Sequence, residues 1–338
     1  MRLAPIFLTL AATPAFADDA ALTGNVLVWH DATFYTDANE GAPAVHVAKL
    51  DGARKDNVGR VLPMHVLSTK GDYVEVEPTT TRDCTWSQLT TQDDVAKLHL
   101  FVKRDDLAPV LAKSFTKTFA DGTKLSLRPG MPMVARDDGR YAFSLRGNVI
   151  VTDVPSTAIG LAYTPDRSRA LSVSNTEYVL ATGTQAKLGD QTFAPTNLRA
   201  SGLEKTAATT MFIVEDRCAT VQLAVPPKSV TAATDDDTTI NTGSTGHGLL
   251  ELRDQVFLPP KTPLSIAGHQ VAVAAKPIYL PGKAFGKQAC IARRLRLEAD
   301  FEPNTDVDDD SLRLCAPAAS VAAERMRSAR SAHGSTSR

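Results

Sequence analysis

The sequence of 338 residues has few aromatic side chains and almost no net charge. Phe, Trp and Tyr together make up 6% of the chain, which is little for a protein that recognises sugars or bases by ring stacking. The formal net charge is −1, so no overall field attracts nucleic acid or an anionic membrane. We therefore expect no nucleic-acid partner.

Long apolar runs are also missing, because no segment after the N terminus approaches the about 20 apolar residues that span a bilayer. The N terminus itself has the three parts of a signal peptide: Arg2 is positive, residues 6–12 are apolar, and Ala15-Phe16-Ala17 fits a cleavage site. The alternative is a buried N-terminal strand or helix. We expect cleavage after residue 17, a periplasmic or secreted location, and no transmembrane segment in the mature chain.

The cysteines lack the Cys-x-x-Cys spacing and the neighbouring His residues of metal sites, so we expect no metal and no cofactor. An even number of cysteines in an exported chain favours disulfide bonds, and four cysteines allow three pairings. Cys290 and Cys315 both lie on the outward side of strands whose leucines face the core. We therefore predict a Cys290–Cys315 disulfide, which leaves Cys84–Cys218 by elimination.

Residues 60–111 contain the clearest strand pattern. Val74 and Val76 alternate with polar neighbours, the period of a half-buried strand, and Lys70-Gly71-Asp72 joins this strand to the one before it. Residues 79–94 form a polar stretch that we interpret as a long loop. Further along the chain, Asp121-Gly122 and Asp138-Gly139 each predict a short hairpin.

These patterns predict an all-β fold of small β-barrel or sandwich units in tandem, with few or no helices. Residues 18–112 are the first region, 113–227 the second and 249–316 the third. Residues 1–17 are the expected signal peptide. Residues 228–248 are an expected linker or loop, and residues 317–338 an expected disordered or frayed helical tail.

A family resemblance is carried by six residues of the first region: Gly71, Tyr73, Val74, Val76, Val102 and Leu107. They follow the order Gly, aromatic, Val, any residue, Val, and later Val, four residues, Leu. With this order, residues 25–111 resemble the bacterial SH3-like (SH3b) family. The resemblance implies an SH3-like first domain that acts as a wall-binding or peptide-binding module, and no binding residue is carried over with it.

The sequence contains three patterns that could indicate a reaction centre or a metal site, and each lacks a feature that its chemistry requires. Ser114 and Lys117 have the S-x-x-K spacing of penicillin-binding enzymes, which requires a helix, whereas this stretch alternates like a strand. The acidic residues 306–310 have the spacing of a calcium loop but lack its Gly and its Glu. A peptidase built on Cys84 and a distant His would require a free thiol. We predict no catalytic residue.

The leading hypothesis is an exported, non-enzymatic binding or scaffold module of the cell envelope. Its expected partner is a cell-wall polymer, a peptide or another protein. The alternatives are an envelope enzyme of the wall hydrolase or peptidase type and a purely structural protein. An SH3-type groove is one possible use of the aromatic residues, although core packing is the favoured interpretation for this set: Trp29, Tyr73, Trp86, Tyr141 and Phe143.

Overall fold

The computed structural model describes residues 21–79, 84–85, 87–91, 96–165, 178–196, 198–205, 209–232, 256–280, 287–293, 295–299, 305–306, 312–320 and 322–323. Throughout these ranges the regular structure is β-strand, and every pair of neighbouring strands is antiparallel. The all-β prediction is therefore confirmed. Short 3-10 turns occur at Arg54–Asp56, Arg104–Asp106, Ser156–Ala158 and Ala318–Ser320.

The strands of the first region are β1 (Asn25–Trp29), β2 (Thr33–Tyr35), β3 (Ala44–His46), β4 (Val61–Lys70), β5 (Tyr73–Pro78), β6 (Ser87–Thr91), β7 (Ala96–Leu98), β8 (Leu100–Lys103), β9 (Leu107–Ala108) and β10 (Val110–Leu111). Those that follow, as far as residue 232, are β11 (Phe115–Thr118), β12 (Lys124–Leu127), β13 (Val134–Ala135), β14 (Tyr141–Leu145), β15 (Asn148–Thr152), β16 (Ile159–Gly160), β17 (Ala162–Tyr163), β18 (Tyr178–Leu180), β19 (Ala186–Leu188), β20 (Gln191–Phe193), β21 (Arg199–Ala200), β22 (Gly202–Lys205), β23 (Thr210–Glu215), β24 (Ala219–Val225) and β25 (Val230–Ala232). The remaining strands are β26 (Val256–Leu258), β27 (Pro263–Ile266), β28 (His269–Ala274), β29 (Ile278–Leu280), β30 (Gln288–Arg293), β31 (Leu295–Ala299), β32 (Thr305–Asp306), β33 (Leu312–Pro317) and β34 (Ala322–Ala323).

Most of the first region forms one eight-stranded sheet with the order β17-β1-β4-β5-β8-β2-β3, and β9 also pairs with β1. The predicted turn between β4 and β5 is present, and Gly71 adopts a φ of +58° there, which favours glycine. Val74 and Val76 point into the core as their alternation predicts. The 3-10 turn at Arg104–Asp106 then directs β9 back onto β1.

The core beneath this sheet, called the first core here, also contains residues from the far end of the chain. It joins buried residues between 26 and 107 with others between 258 and 316, such as Leu264, Val271 and Leu314. Two strands from the middle of the first region complete this connection: β6 pairs with β31, and β7 pairs with β28. The prediction of a loop over residues 79–94 is therefore wrong at β6, because the pairing partner of β6 lies some 200 residues further along the sequence.

The second core is built from Cys84 and residues 111–225. Both predicted hairpins lie here, β11–β12 and β13–β14, with Gly122 at φ +83° and Gly139 at φ +80° in their turns. The longest ladder of this core joins β23 and β24, whose side chains are buried alternately. Phe212 and Leu223 of this ladder and Phe143 of β14 are buried in the second core without exposed surface.

Three predicted segments are covered only in part. The expected linker 228–248 begins with β25, which pairs with β18, and residues 233–248 lie outside the described ranges. The expected tail 317–338 begins with the last residue of β33, followed by a 3-10 turn and by β34, which pairs with β26; residues 321 and 324–338 lie outside the described ranges. The expected signal peptide lies entirely outside. Across the described ranges no helix has the length and apolar character to cross a membrane.

Candidate functional site

The outward side of the eight-stranded sheet is covered at one end and open at the other. Near β1, the outward residues Leu27, Trp29 and Val61 pack against Val134 and Tyr163 of the second region. Towards β5, β8 and β2, the sheet presents polar and aromatic side chains instead. We call these five outward residues the open face: Tyr35, Tyr73, Glu75, Phe101 and Lys103.

Strand alternation explains why these residues share one side. Phe34, Val74 and Val102 belong to the first core, so their chain neighbours on β2, β5 and β8 point the opposite way. The strand register then places Tyr35 opposite Phe101, which in turn lies opposite Glu75. The next row places Tyr73 opposite Lys103. Two tyrosines, one phenylalanine, one cation and one carboxylate therefore occupy adjacent positions.

The side chains of the open face are held by specific contacts. The rings of Tyr35 and Tyr73 meet edge to face, with centroids 5.6 Å apart and planes at 88°. Lys103 forms an ion pair with Glu40, which lies in the loop that joins β2 to β3. The Nζ atom of Lys70 lies 4.7 Å from the centroid of the Phe101 ring and covers it. Phe101 is consequently 7% exposed, while both tyrosines are half-exposed.

The electrostatics of the open face follow from the same contacts. The hydrogen bond from Lys103 lowers the pKa of Glu40, and the same bond raises the pKa of Lys103. Desolvation by the neighbouring side chains raises the pKa of the Tyr73 hydroxyl. The face thus carries an ion pair beside two phenol hydroxyl groups, which can donate and accept hydrogen bonds.

A second polar row continues the open face towards β4. The Ser68 hydroxyl donates a 2.6 Å hydrogen bond to Glu75 and fixes that carboxylate. Further along, His99 lies 3.6 Å from a carboxylate oxygen of Glu77. Such a surface offers aromatic faces for packing, along with donors and acceptors for a polymer or peptide laid across the strands.

Of the four described aromatic residues singled out in the sequence, Tyr73 lies on the open face. Trp29, Tyr141 and Phe143 are 5%, 7% and 0% exposed and pack in the interior, and Trp86 lies outside the described ranges. Tyr35 and Phe101 are site residues that the sequence patterns did not predict. Their alternation with Phe34 and Val102 was the available signal, although it does not reveal that β2 and β8 are neighbours.

The structure provides no support for the candidate reaction centres. Lys117 lies in strand β11, where its Nζ donates a 3.0 Å hydrogen bond to Asp153, while Ser114 is exposed just before that strand. Asp306 ends the short strand β32, and residues 307–311 lie outside the described ranges. Within those ranges, no cysteine is free and no cluster of three or more His, Cys, Asp or Glu side chains could hold a metal ion.

One cavity of about 460 Å³ is lined by residues 179–183, at the end of β18 and in the turn after it, and by residues 194–196 and 198–199. Its lining surface is about equally polar and apolar, and Arg199 is the charged side chain among the lining residues. The Asn148 side chain holds one wall in place through two hydrogen bonds to the backbone of Thr196. Its amide nitrogen donates to the Thr196 carbonyl oxygen, and its side-chain oxygen accepts from the Thr196 N–H. Acid–base catalysis requires titratable groups that converge, and the lining residues of this cavity include no Asp, Glu, His or Cys.

The chain contains the two disulfide bonds Cys84–Cys218 and Cys290–Cys315, the same pairs that the sequence analysis favoured. Disulfides persist in oxidising compartments, so both bonds are consistent with a location outside the cytoplasm. Fold and cross-links together define an all-β, disulfide-bonded protein with an open polar and aromatic sheet face. Neither the family models, nor the curated proteins, nor the solved structures include a match to this chain.

Proposed function

We propose that this chain is an exported, non-enzymatic protein of the cell envelope whose SH3-like first region binds a cell-wall polymer or a peptide or protein partner. The observation that carries the proposal is the open face, where Tyr35 and Tyr73 remain half-exposed beside the Lys103–Glu40 ion pair. Large aromatic side chains on a rigid sheet are typical anchors of binding surfaces.

The connectivity of the first region supports the SH3-like interpretation. Strands β1, β4, β5 and β8 follow one another in the sheet, and a 3-10 turn precedes β9, which returns to β1. The β2–β3 hairpin lies next to β8, at the edge of the sheet opposite to β17. The open face lies where this hairpin meets β5 and β8, so the loop that supplies Glu40 forms its border.

The proposal is tested by sedimentation of the chain, from residue 18 onward, with purified peptidoglycan. We expect the protein to pellet with the polymer. Replacement of both tyrosines, Tyr35→Ala with Tyr73→Ala, should raise the dissociation constant, measured from the bound fraction over a range of polymer concentrations, at least about tenfold, which corresponds to roughly 1.4 kcal/mol. Because both side chains point outward from the sheet, the double variant should keep its circular dichroism spectrum.

Two matched variants control this test. Tyr35→Phe with Tyr73→Phe keeps both rings and should keep most of the binding. Thr116→Ala changes an exposed residue on β11, away from the open face, and should leave binding unchanged. No co-sedimentation of the unaltered chain would contradict the wall-polymer partner, and equal binding by the alanine double variant would contradict the open face as the site.

A further inference from the structure

The two disulfides of this chain lie in contrasting surroundings. Cys84 and Cys218 are 7% and 9% exposed and belong to the second core. Cys290 and Cys315 are half-exposed, although both lie within regular strands. Reduction of a disulfide requires a thiolate to reach one of its sulfur atoms, so this difference bears directly on reactivity.

Strand alternation places the Cys290–Cys315 bond on the outside of its sheet. Ala289, Leu314 and Ala316 are buried in the first core, with at most 1% exposure. Cys290 follows Ala289, and Cys315 lies between Leu314 and Ala316, so both cysteines point to the opposite side. The register also sets the two cysteines directly opposite each other.

The strands that carry this disulfide are held together without it. β30 and β33 pair over six residues each, and β33 also contacts β27, where the Ser265 hydroxyl donates a 3.1 Å hydrogen bond to the carbonyl oxygen of Cys315. Leu314 and Ala316 of β33 pack in the first core. Loss of the sulfur–sulfur bond therefore leaves the backbone ladder and the core contacts in place.

The surroundings of Cys84–Cys218 are closed. The Sγ atom of Cys84 lies 3.2 Å from the carbonyl oxygen of Pro129. A Cβ atom added at Gly130 would lie 2.7 Å from that sulfur and 2.7 Å from the Tyr163 ring, so the space beside the bond is filled. The bond also connects parts of the chain that are 134 residues apart. Here the cross-link is shielded, and in the described part of the chain no strand ladder joins the segments around Cys84 and Cys218.

We propose that Cys290–Cys315 is a thiol-exchange site, which a dithiol reductant opens in the folded protein, whereas Cys84–Cys218 is a structural cross-link that resists the same reagent. This inference does not depend on the binding function proposed above. The chemical class of the co-substrate is a dithiol, either a small molecule or the paired cysteines of another protein.

The exchange balances in two steps. A thiolate of the dithiol attacks one sulfur of the pair, forms a mixed disulfide, and releases the other cysteine as a thiolate that takes up a proton. The second thiol of the reductant, as its thiolate, then attacks the reductant's own sulfur in the mixed disulfide and releases the second cysteine. The reductant ends as a disulfide, and Cys290 and Cys315 gain two electrons and two protons.

The test is timed reduction of the native full-length protein with dithiothreitol, stopped by acid and followed by alkylation and peptide mapping. We expect Cys290 and Cys315 to acquire the alkyl label at least about tenfold faster than Cys84 and Cys218. Denaturant added before the reductant should abolish this difference, because it exposes all four sulfur atoms. The selectively reduced protein should keep its far-ultraviolet circular dichroism spectrum and its cooperative thermal unfolding.

Paired variants provide the controls. Cys290→Ser with Cys315→Ser should remove the fast phase of labelling, and Cys84→Ser with Cys218→Ser should keep it. The proposal is wrong if both bonds open at the same rate, if Cys84–Cys218 opens first, or if neither opens before the protein unfolds. It is also wrong if opening of Cys290–Cys315 itself unfolds the chain.

Discussion

The first and second cores differ in how far along the chain their residues are collected. The second core combines Cys84 with residues from the continuous stretch 111–225, and many of its strand pairs are hairpins. The buried residues of the first core come from residues 26–107 and 258–316, and from the stretch between them only the partly buried Leu161 and Ala162 pack against it in the described ranges. The entropic cost of closing a loop rises with its length. We therefore expect the contacts between residues 26–107 and 258–316 of the first core to form late in folding and to require an uncut chain.

The difference shows that an uninterrupted run of strands is not the same as an independent unit. The first region contains the strands of a plausible small domain. Its hydrophobic side nevertheless packs against Leu264, Val271 and Leu314 of the third region, and its strands β6 and β7 complete sheets there. The second region covers the opposite side near β1 through Val134 and Tyr163.

Removal of the chain after residue 232 should have the largest effect, because it should destabilise the first core and leave the second core intact. The shortened protein lacks the apolar partners of β4, β5 and β8, so we expect amide hydrogens of these strands to lose protection against exchange. Strands β12, β23 and β24 should stay protected, because their core partners are retained. Hydrogen exchange read by mass spectrometry measures both. Unchanged protection of β4, β5 and β8 would contradict the dependence of the first core on the third region.

Gly130 lies between Cys84 of the second core and Tyr163, which packs on the outward side of β1. It has a φ of +97°, and a methyl group there would collide with Cys84 and Tyr163, so Gly130→Ala should lower the free energy of unfolding by about 3–4 kcal/mol. Gly139 has a φ of +80° and open space around it, so Gly139→Ala should cost only about 1 kcal/mol. Denaturant titration gives both values, and equal losses would mean that backbone strain rather than the collision dominates.

His30 adds a pH dependence to the stability of the first region. Burial lowers its pKa in the folded protein from 6.5 to about 4, and Arg60 contributes to the shift. The unfolded chain therefore binds a proton first as the pH falls below 6.5, and stability is lost down to about pH 4. The full loss is roughly 3 kcal/mol. Denaturant titrations at several pH values should show this slope, and His30→Gln should reduce it.

Asp216 provides the opposite case in the second core. Burial raises its pKa above 3.8, so the unfolded chain ionises first as the pH rises, and stability falls in that window. Local exchange rates near β1 and near β23–β24 should thus respond to acid with opposite signs. The same sign at both places would contradict one of the two assignments.

The smallest expected effect concerns two arginines with different degrees of burial. Arg54 donates hydrogen bonds to Asp31 and Asp106, whose side chains are 32% and 18% exposed, so Arg54→Ala should cost about 1–2 kcal/mol after allowance for solvent screening. Arg140 pairs with Asp138 on the surface of the second region, and Arg140→Ala should leave the midpoint of thermal unfolding unchanged. Equal shifts would show that the Arg54 contacts add nothing.

Local patterns in the sequence predict those parts of the fold that neighbouring residues determine. The hairpins around Gly122 and Gly139 and the β4–β5 turn at Gly71 follow from turn residues and two-residue alternation. The outward direction of Cys290 and Cys315 follows from the same alternation. Alternation does not predict which strands pair with each other, because β6 and β31 carry no signal that distinguishes them from other short strands.

The candidate site shows the same limit. Tyr73 could be selected from the sequence because its strand has a clear alternating pattern. Its partner Tyr35 lies on a strand of three residues, and the contact requires β8 to lie between β2 and β5. Glu40 reaches Lys103 from a loop whose path has no periodic pattern. Such a site forms from tertiary contacts, which single-sequence periodicity does not encode.

The pairing of β7 with β28 has a consequence for the order of events during synthesis. Residues 96–98 leave the ribosome long before residues 272–274, their partners in the ladder. Until then Leu98 and the apolar side of β4 and β5 have nothing permanent to cover them. The first region therefore emerges early but completes its core late. In that interval its apolar side chains need protection from aggregation, for example by a chaperone.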